Sequence, residues 1–195
     1  MARSILREMR SLPHWARVAF AARCARTVEP LFLRAWPNAT AEMQDAVRIA
    51  IRLAEQSAAE GQPIEGLDGA ITNALQAAGA ALRSVYGFPS EEPPPPNEQA
   101  CVTASHTAKV AEWAATAAHE GASKSVNAAL EASAFARGAT ETAEAAELLD
   151  RLRQDLAALR RVAARGRWTD ETPVPPSVFD LLAEEPSAPP WWKFW

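Results

Sequence analysis

Alanine most constrains what this chain can fold into, because 44 of the 195 residues are alanine. Alanine has the highest helix propensity of the common residues, whereas glycine and proline interrupt helices. Most of the 15 prolines and 8 glycines fall between the alanine-rich runs rather than inside them. The pattern predicts an all-α protein, a bundle of about six helices followed by a proline-rich, partly extended C-terminal tail.

Apolar residues within these runs recur at spacings of three and four, which places them on one face of a helix. One such series is Ile71, Leu75, Ala78, Leu82 and Val85. A stripe of this kind is typical of a helix that packs against others in a bundle.

Capping residues and helix breakers set the predicted helix boundaries. We expect Pro30 to kink or end the first helix, Gly138 to end the fifth, and Thr140 to cap the sixth. The other predicted boundaries are Ser11 with Pro13 and Asn38 or Thr40 at the starts of the first two helices, then Gly61, Asp68, Gly87, Asn97, Gly121 and Gly166.

The prolines also suggest a division of the chain. We expect an N-terminal helical module at 1–88, a proline-rich spacer at 89–97, and a second helical module at 98–167 that packs on the first. Four consecutive prolines in the spacer cannot continue a helix. The spacer is either a boundary between two modules or a loop within one domain. The tail, 168–195, is expected to contain a short helix near 177–185.

Charge is distributed unevenly along the chain. Residues 1–34 contain seven arginines and two glutamates, about +5, whereas residues 35–96 contain three basic and eight acidic residues, about −5. This arrangement favours pairing within the molecule or between copies over nucleic-acid binding, which needs a wider basic surface. We therefore expect no nucleic-acid partner.

The sequence favours a soluble cytoplasmic protein. Cys24 and Cys101 lack the spacing of a disulfide scaffold or a zinc site. Arginines interrupt each apolar run near the N-terminus, and no stretch approaches the 18 apolar residues typical of a membrane span. The excess of arginine over lysine, 17 to 3, together with the abundant alanine, indicates a GC-rich bacterial genome.

One short motif has a counterpart in a known family. The run His106-Thr107-Ala108-Lys109 resembles the His-x-x-Lys core of histidine phosphotransfer domains, which are four-helix bundles. The resemblance implies that His106 accepts a phosphoryl group and that Lys109 offsets its charge. Val110 stands where those domains usually have glycine. A buried or half-buried histidine among Val102, Val110 and Trp113 is the structural alternative.

Other chemistry is not indicated. Glu112 and His119 are seven residues apart and can share a helix face. No third group accompanies them, and the sequence contains no nucleophile elbow or phosphate-binding loop. We predict no catalytic residue, no cofactor, no metal site and no small-molecule substrate.

Four aromatic residues lie within positions 191–195. Tryptophan suits protein interfaces because it combines a large apolar area with one N–H donor. We predict a non-catalytic interaction module of adaptor or scaffold type, whose tail docks on its own bundle, on a second copy or on a partner protein. Peripheral membrane association, through the N-terminal arginines and the terminal tryptophans, is a further alternative. The predicted partner-binding residues are Phe179, Leu181, Leu182, Trp191, Trp192, Phe194 and Trp195.

Overall fold

The computed structural model describes residues 7–83 and 94–183, with side chains described up to residue 179. All regular structure in these ranges is helical, which confirms the predicted all-α class. A helical turn at residues 7–10 precedes seven longer helices. Their bounds are α1 His14–Ala35, α2 Ala41–Glu60, α3 Leu67–Leu82, α4 Glu98–His119, α5 Ala122–Thr142, α6 Ala146–Gly166 and α7 Pro176–Ala183.

Helices α1 and α4 form the centre of the bundle and contact most of the other helices. Ala104, Ala108, Ala111 and Ala115 of α4 are all 0% exposed and follow one another at spacings of four, three and four. Because the alanine side chain is small, a stripe of buried alanines lets neighbouring helices pack close together. The abundance of alanine thus has a packing role in addition to its helix propensity.

The buried apolar side chains form one continuous cluster, with members on both sides of the proline-rich segment. Larger side chains belong to the same cluster. The rings of Phe32 and Trp36 lie 5.9 Å apart, and Trp36 is 1% exposed. Helix α4 packs against both α1 and α3, so the two halves of the chain share a hydrophobic core.

Three predicted helix ends are confirmed by their capping geometry. The Thr40 hydroxyl accepts a hydrogen bond from the Met43 N–H at 3.4 Å, and the Asn97 side chain accepts one from the Ala100 N–H at 2.8 Å. Gly61 ends α2 in the left-handed conformation, with φ of 69°. Glycine adopts this conformation without the steric cost of a β-carbon.

In the first helix, the structure excludes one of the two outcomes predicted for Pro30 and corrects the predicted cap. Pro30 lies inside α1, which continues to Ala35 instead of ending. Leu31 is 5% exposed and Phe32 is 2% exposed, so burial of the residues after the proline offsets the hydrogen bond that proline cannot donate. Ser11 does not cap α1, because its hydroxyl donates to a carbonyl of the preceding turn.

The prediction that Gly138 ends the fifth helix was wrong. Helix α5 passes through Gly138, and Thr140 lies inside α5 with its hydroxyl bonded to the Arg137 carbonyl. A β-carbon at residue 138 would lie 2.6 Å from Nδ1 of His106. This glycine therefore permits close packing of α4 on α5, and α6 begins later, at Ala146.

Gly166 ends α6 as predicted, and two other boundaries differ by one or two residues. Helix α3 begins at Leu67 rather than Asp68, and α4 ends at His119, two residues before Gly121. Gly87, the predicted end of α3, lies outside the described residues.

The basic residues of α1 pair with both halves of the chain. Arg26 binds Glu55 of α2 at 2.7 Å, as the opposite charges of the first two segments suggest. Arg23 instead binds Asp155 of α6 at 2.8 Å, and both side chains are about nine-tenths buried. The second pair joins residues that are distant in sequence.

Candidate interaction site

The segment after α6 folds back onto the bundle. We call residues 167–175 the strap. Arg167 has φ of 51°, a left-handed conformation that reverses the chain direction after Gly166. The Trp168 N–H then donates to the Ala163 carbonyl at 3.0 Å. The Trp168 indole occupies the space that a β-carbon at residue 166 would need, so Gly166 makes room for it.

Asp170 attaches the strap to the first turn of α1. Its Oδ1 accepts a hydrogen bond from the backbone N–H of His14 at 2.6 Å and another from Nη2 of Arg17 at 3.1 Å. Pro13 precedes this helix and supplies no side-chain cap. The carboxylate therefore takes the role of a capping group, and its negative charge is favourable near a helix N-terminus.

A buried polar cluster lies beneath this attachment. The Arg17 side chain is 8% exposed, and its Nη1 donates to the Ala122 carbonyl at 2.7 Å. Nδ1 of His14 lies 3.0 Å from Oγ of Ser125. Burial lowers the pKa of His14; the Arg17 charge lowers it further, and Asp170 acts in the opposite direction. The histidine is therefore neutral at pH 7.

The His14–Ser125 pair resembles half of a nucleophilic site but lacks access. Ser125 is 0% exposed, and its hydroxyl donates to the Ala122 carbonyl at 3.1 Å. A substrate would have to displace α1 or α5 to reach this oxygen. The pair instead satisfies polar groups at the junction of the two helices.

The far end of the strap is attached to the end of α2. The Val174 N–H donates to the Ala58 carbonyl at 2.8 Å, and Val174 is 0% exposed. Pro173 lies against Gly61, where an added β-carbon would be 3.1 Å from the proline β-carbon. Gly61 therefore serves both the helix end and the path of the strap.

The strap leads into α7, Pro176–Ala183, which overlaps the predicted range 177–185. Val178 is 4% exposed, and Phe179 is partly buried against the core.

The seven predicted partner-binding residues fall into three groups. The Phe179 side chain is described and packs on the bundle; Leu181 and Leu182 lie in α7, beyond the last described side chain; Trp191, Trp192, Phe194 and Trp195 lie outside the described residues.

A groove of about 640 Å³ opens beside the start of the strap. We call it the arginine groove. It is lined by residues 11–13, by Arg160 and Arg161 of α6, and by Arg167 and Trp168. Its lining is therefore both apolar and strongly basic.

The arginines of this groove differ in their partners. Arg160 lies 3.4 Å from a Glu8 carboxylate oxygen. Arg161 and Arg167 are exposed, and neither has an ion pair with any residue in the described ranges. Two positive charges are thus available at the rim of the arginine groove.

A smaller hollow of about 280 Å³ lies between the ends of α1, α4 and α5. Its polar groups bind one another. The hydroxyls of Thr103 and Thr142 lie 2.8 Å apart, and the Gln99 amide donates to the Thr142 carbonyl. The bonding pattern joins α4 to α5.

His106 packs on α5. Its ring lies 5.5 Å from the Phe135 ring in an edge-on arrangement and contacts Gly138, while Nδ1 is buried without a hydrogen-bond partner. Phe135 and Gly138 of α5 thus form part of the surface that encloses the ring. The residue as a whole is half-buried.

Lys109 is occupied by other contacts. Its Nζ lies 2.6 Å from Oε2 of Glu112, and it sits over the Trp113 and Phe135 rings at 5.8 and 5.9 Å. A lysine held in this way is not free to offset a phosphoryl charge. Phosphotransfer through His106 stays a prediction without support from these contacts.

Glu112 and His119 do not form a common site. Glu112 is buried with Lys109, while Nε2 of His119 lies 3.3 Å from Oδ1 of Asp68. Cys24 and Cys101 are both buried, and burial raises the pKa of the Cys24 thiol. Among the described residues, no three histidine, cysteine or acidic side chains are grouped as metal ligands would be.

Sequence reasoning did not single out Asp170 or Val174, which carry much of the strap attachment. The partners of these residues are more than 100 positions away, so no local spacing marks them. A tryptophan two residues after a helix-ending glycine was the available signal, because a large apolar side chain at that point requires a surface to cover.

Comparison with protein-family models, with curated proteins and with solved structures found no match. Within residues 7–83 and 94–183, no helix is long and apolar enough to cross a bilayer.

Proposed function

We propose that this protein is a non-catalytic interaction module of adaptor or scaffold type, in which the aromatic residues after α7 bind a protein surface. The attachment of the strap is the observation that supports this proposal. Asp170 holds one end on α1 and Val174 holds the other on α2. The chain beyond the strap therefore starts from a fixed place on the surface of the bundle.

The composition of the segment after α7 supports binding. Four of its last five residues are aromatic. Each buried aromatic side chain contributes roughly 2 kcal/mol or more, whereas ordering one residue costs about 1 to 2 kcal/mol. Tryptophan is also enriched among the residues that dominate interface energetics. A cluster of this density is therefore sufficient to hold a short segment on a protein surface.

The described polar clusters support a role without catalysis. Ser125 is closed off from solvent, Lys109 is paired with Glu112, and Glu112 and His119 have separate partners. The contacts of Ser125 and His119 join neighbouring helices, and the Lys109–Glu112 pair lies within α4, so each of these polar groups has a structural partner.

The test compares the full chain with two shortened chains. One ends at Ala183 and keeps the strap; the other ends at Arg167 and removes it. We expect the first to fold, because it retains every described contact, and to lose protein partners or self-association. The second is expected to lose stability as well. Thermal unfolding, sedimentation velocity and quantitative affinity purification measure these properties.

The matched control is the full chain with Trp191, Trp192 and Trp195 changed to alanine. It should behave like the chain that ends at Ala183. If the full chain, this control and the chain ending at Ala183 keep the same partners and the same oligomeric state, the aromatic residues have no binding role and the proposal fails.

A further inference from the structure

We propose that the arginine groove is the docking site for residues 184–195 of the same chain. This inference rests on the proposed function and names the surface that the aromatic residues contact when no partner is bound. A partner that binds these residues would then have to displace them from the groove.

The groove is within reach of this segment. Trp168 lines the groove, and the strap from Trp168 to Pro176 spans at most about 27 Å. Helix α7 has eight residues and adds about 12 Å. The twelve residues after Ala183 extend to about 40 Å. Even if the strap and α7 were fully extended away from the groove, the end of the segment could therefore still reach it.

The strap follows a shorter path than this upper bound. Asp170 contacts the start of α1, and Pro173 contacts the end of α2. Residues 11–13 of the groove directly precede α1, so the strap begins beside the groove and runs across the end of the bundle. Helix α7 thus starts close to the same end of the molecule.

The chemistry of the two surfaces is complementary. Arg161 and Arg167 are exposed without an ion pair in the described ranges, whereas the segment contains Glu184 and Glu185. Arginine also stacks on aromatic rings, tryptophan being the most favourable partner. A volume of about 640 Å³ lies within the range of pockets that enclose drug-sized ligands and suits a few large side chains.

The segment is also suited to an extended conformation. Three of its residues, Pro186, Pro189 and Pro190, restrict the backbone before the aromatic cluster. Restriction of this kind lowers the entropy that is lost on docking. A groove that accepts an extended chain is consequently a better match than a cavity that requires a helix.

Disulfide trapping in the full chain tests the inference. The test chain carries Ala164→Cys, an exposed position in the groove lining, and Ser187→Cys. The control chain carries Gln76→Cys on the exposed face of α3, which packs on α2 and α4, together with Ser187→Cys. Native Cys24 and Cys101 are buried and should not compete. Both chains are oxidised at low protein concentration, and the products are mapped by mass spectrometry.

Docking predicts an intramolecular disulfide that forms at least about tenfold faster in the test chain than in the control, because docking raises the effective thiol concentration. Equal rates in the two chains, or no disulfide in the test chain, would overturn the inference. Disulfide-linked dimers as the main product would also overturn it, since the occupant would then belong to a second copy.

A charge change separates specific docking from general proximity. Arg161→Glu in the test chain should slow disulfide formation by about threefold, as expected for partly exposed ion pairs. Arg165→Glu is the matched control, because Arg165 is exposed in the same turn of α6 but does not line the groove. Equal rates for the two variants contradict the inference.

The two proposals fail in different ways. If trapping fails while the chain ending at Ala183 still loses partners, the groove assignment is wrong and the interaction function remains. If trapping succeeds while the shortened chain keeps its partners and oligomeric state, the segment docks in the groove but has no role in binding other proteins.

Discussion

The carboxylate of Asp170 accepts a hydrogen bond from the backbone N–H of His14 at 2.6 Å, although 156 positions separate the two residues. This contact fixes the start of the strap at the N-terminus of α1. The first N–H groups of a helix have no partner within the helix. Pro13 supplies no side-chain acceptor for them, so the Asp170 carboxylate of the strap accepts a hydrogen bond from one of them.

Asp170→Ala should lower the free energy of unfolding by about 1 kcal/mol, since it removes a capping acceptor from a partly exposed site. Asp170→Asn retains an oxygen acceptor without the charge and should lose less. Chemical denaturation measures both. Glu171→Ala, at the exposed neighbouring position, is the control and should match the unchanged chain. Equal stability of Asp170→Ala and Glu171→Ala would disprove the role of the contact.

Gly138→Ala should destabilise the protein by about 1 to 3 kcal/mol, because the new β-carbon would overlap the His106 ring. Adding His106→Ala should recover part of this loss, which a double-mutant cycle detects as coupling. Gly79→Ala is the matched control: Gly79 is also inside a helix, but an added β-carbon meets nothing within 4 Å. It should stabilise the protein by up to about 1 kcal/mol. A similar sign for both substitutions would contradict this packing.

Stability should fall as pH is lowered below about 6.5, partly because of His14. The pKa of His14 in the folded protein lies below its ordinary value of 6.5, chiefly because of burial. Between these two pKa values the unfolded chain binds more protons than the folded chain, so the free energy of unfolding decreases as pH decreases. Well above pH 6.5 the imidazole is neutral in both states and its full contribution to stability is present.

The measurement is the free energy of unfolding at pH 7.5 and at pH 5 for the original chain and for His14→Gln. The variant lacks the titrating group, so its stability should change less between the two pH values. An identical change in both chains would rule out His14 as a source of the pH dependence.

Asp155→Ala should cost about 3 kcal/mol or more, because it leaves the Arg23 guanidinium buried without this carboxylate. Replacing both residues with apolar side chains, Arg23→Met with Asp155→Leu, should cost less than Asp155→Ala alone. Asp150→Ala on the same helix breaks an exposed pair with Arg153 and should change stability by less than about 1 kcal/mol. Urea denaturation compares the variants, and a double variant as unstable as Asp155→Ala would refute the argument.

Local signals explain which helix boundaries could be predicted. Thr40, Asn97 and Gly61 act through hydrogen bonds or dihedral angles within a few residues of themselves, so their roles follow from residue type and position. Gly138 has the same local appearance as Gly61 but lies inside a helix, because the deciding contact comes from His106, 32 positions earlier. A propensity scale cannot distinguish these two cases.

In the candidate site, too, some features follow from the local sequence and others depend on distant contacts. The sequence marks the tail as unusual through its prolines and tryptophans, and it locates the short helix that became α7. It does not show that Asp170 meets His14 or that Val174 meets Ala58. Those pairs depend on how α1, α2 and α6 are arranged around one core.

The sequence by itself determined that the chain is all-helical, since alanine propensity and apolar spacing act over a few residues and need no partner. Tertiary structure alone decided where the strap runs, which arginines are left exposed in the groove, and which glycines lie inside helices. The physical reason is that these features depend on contacts between segments far apart in the chain, whose energies arise only after the helices have packed together.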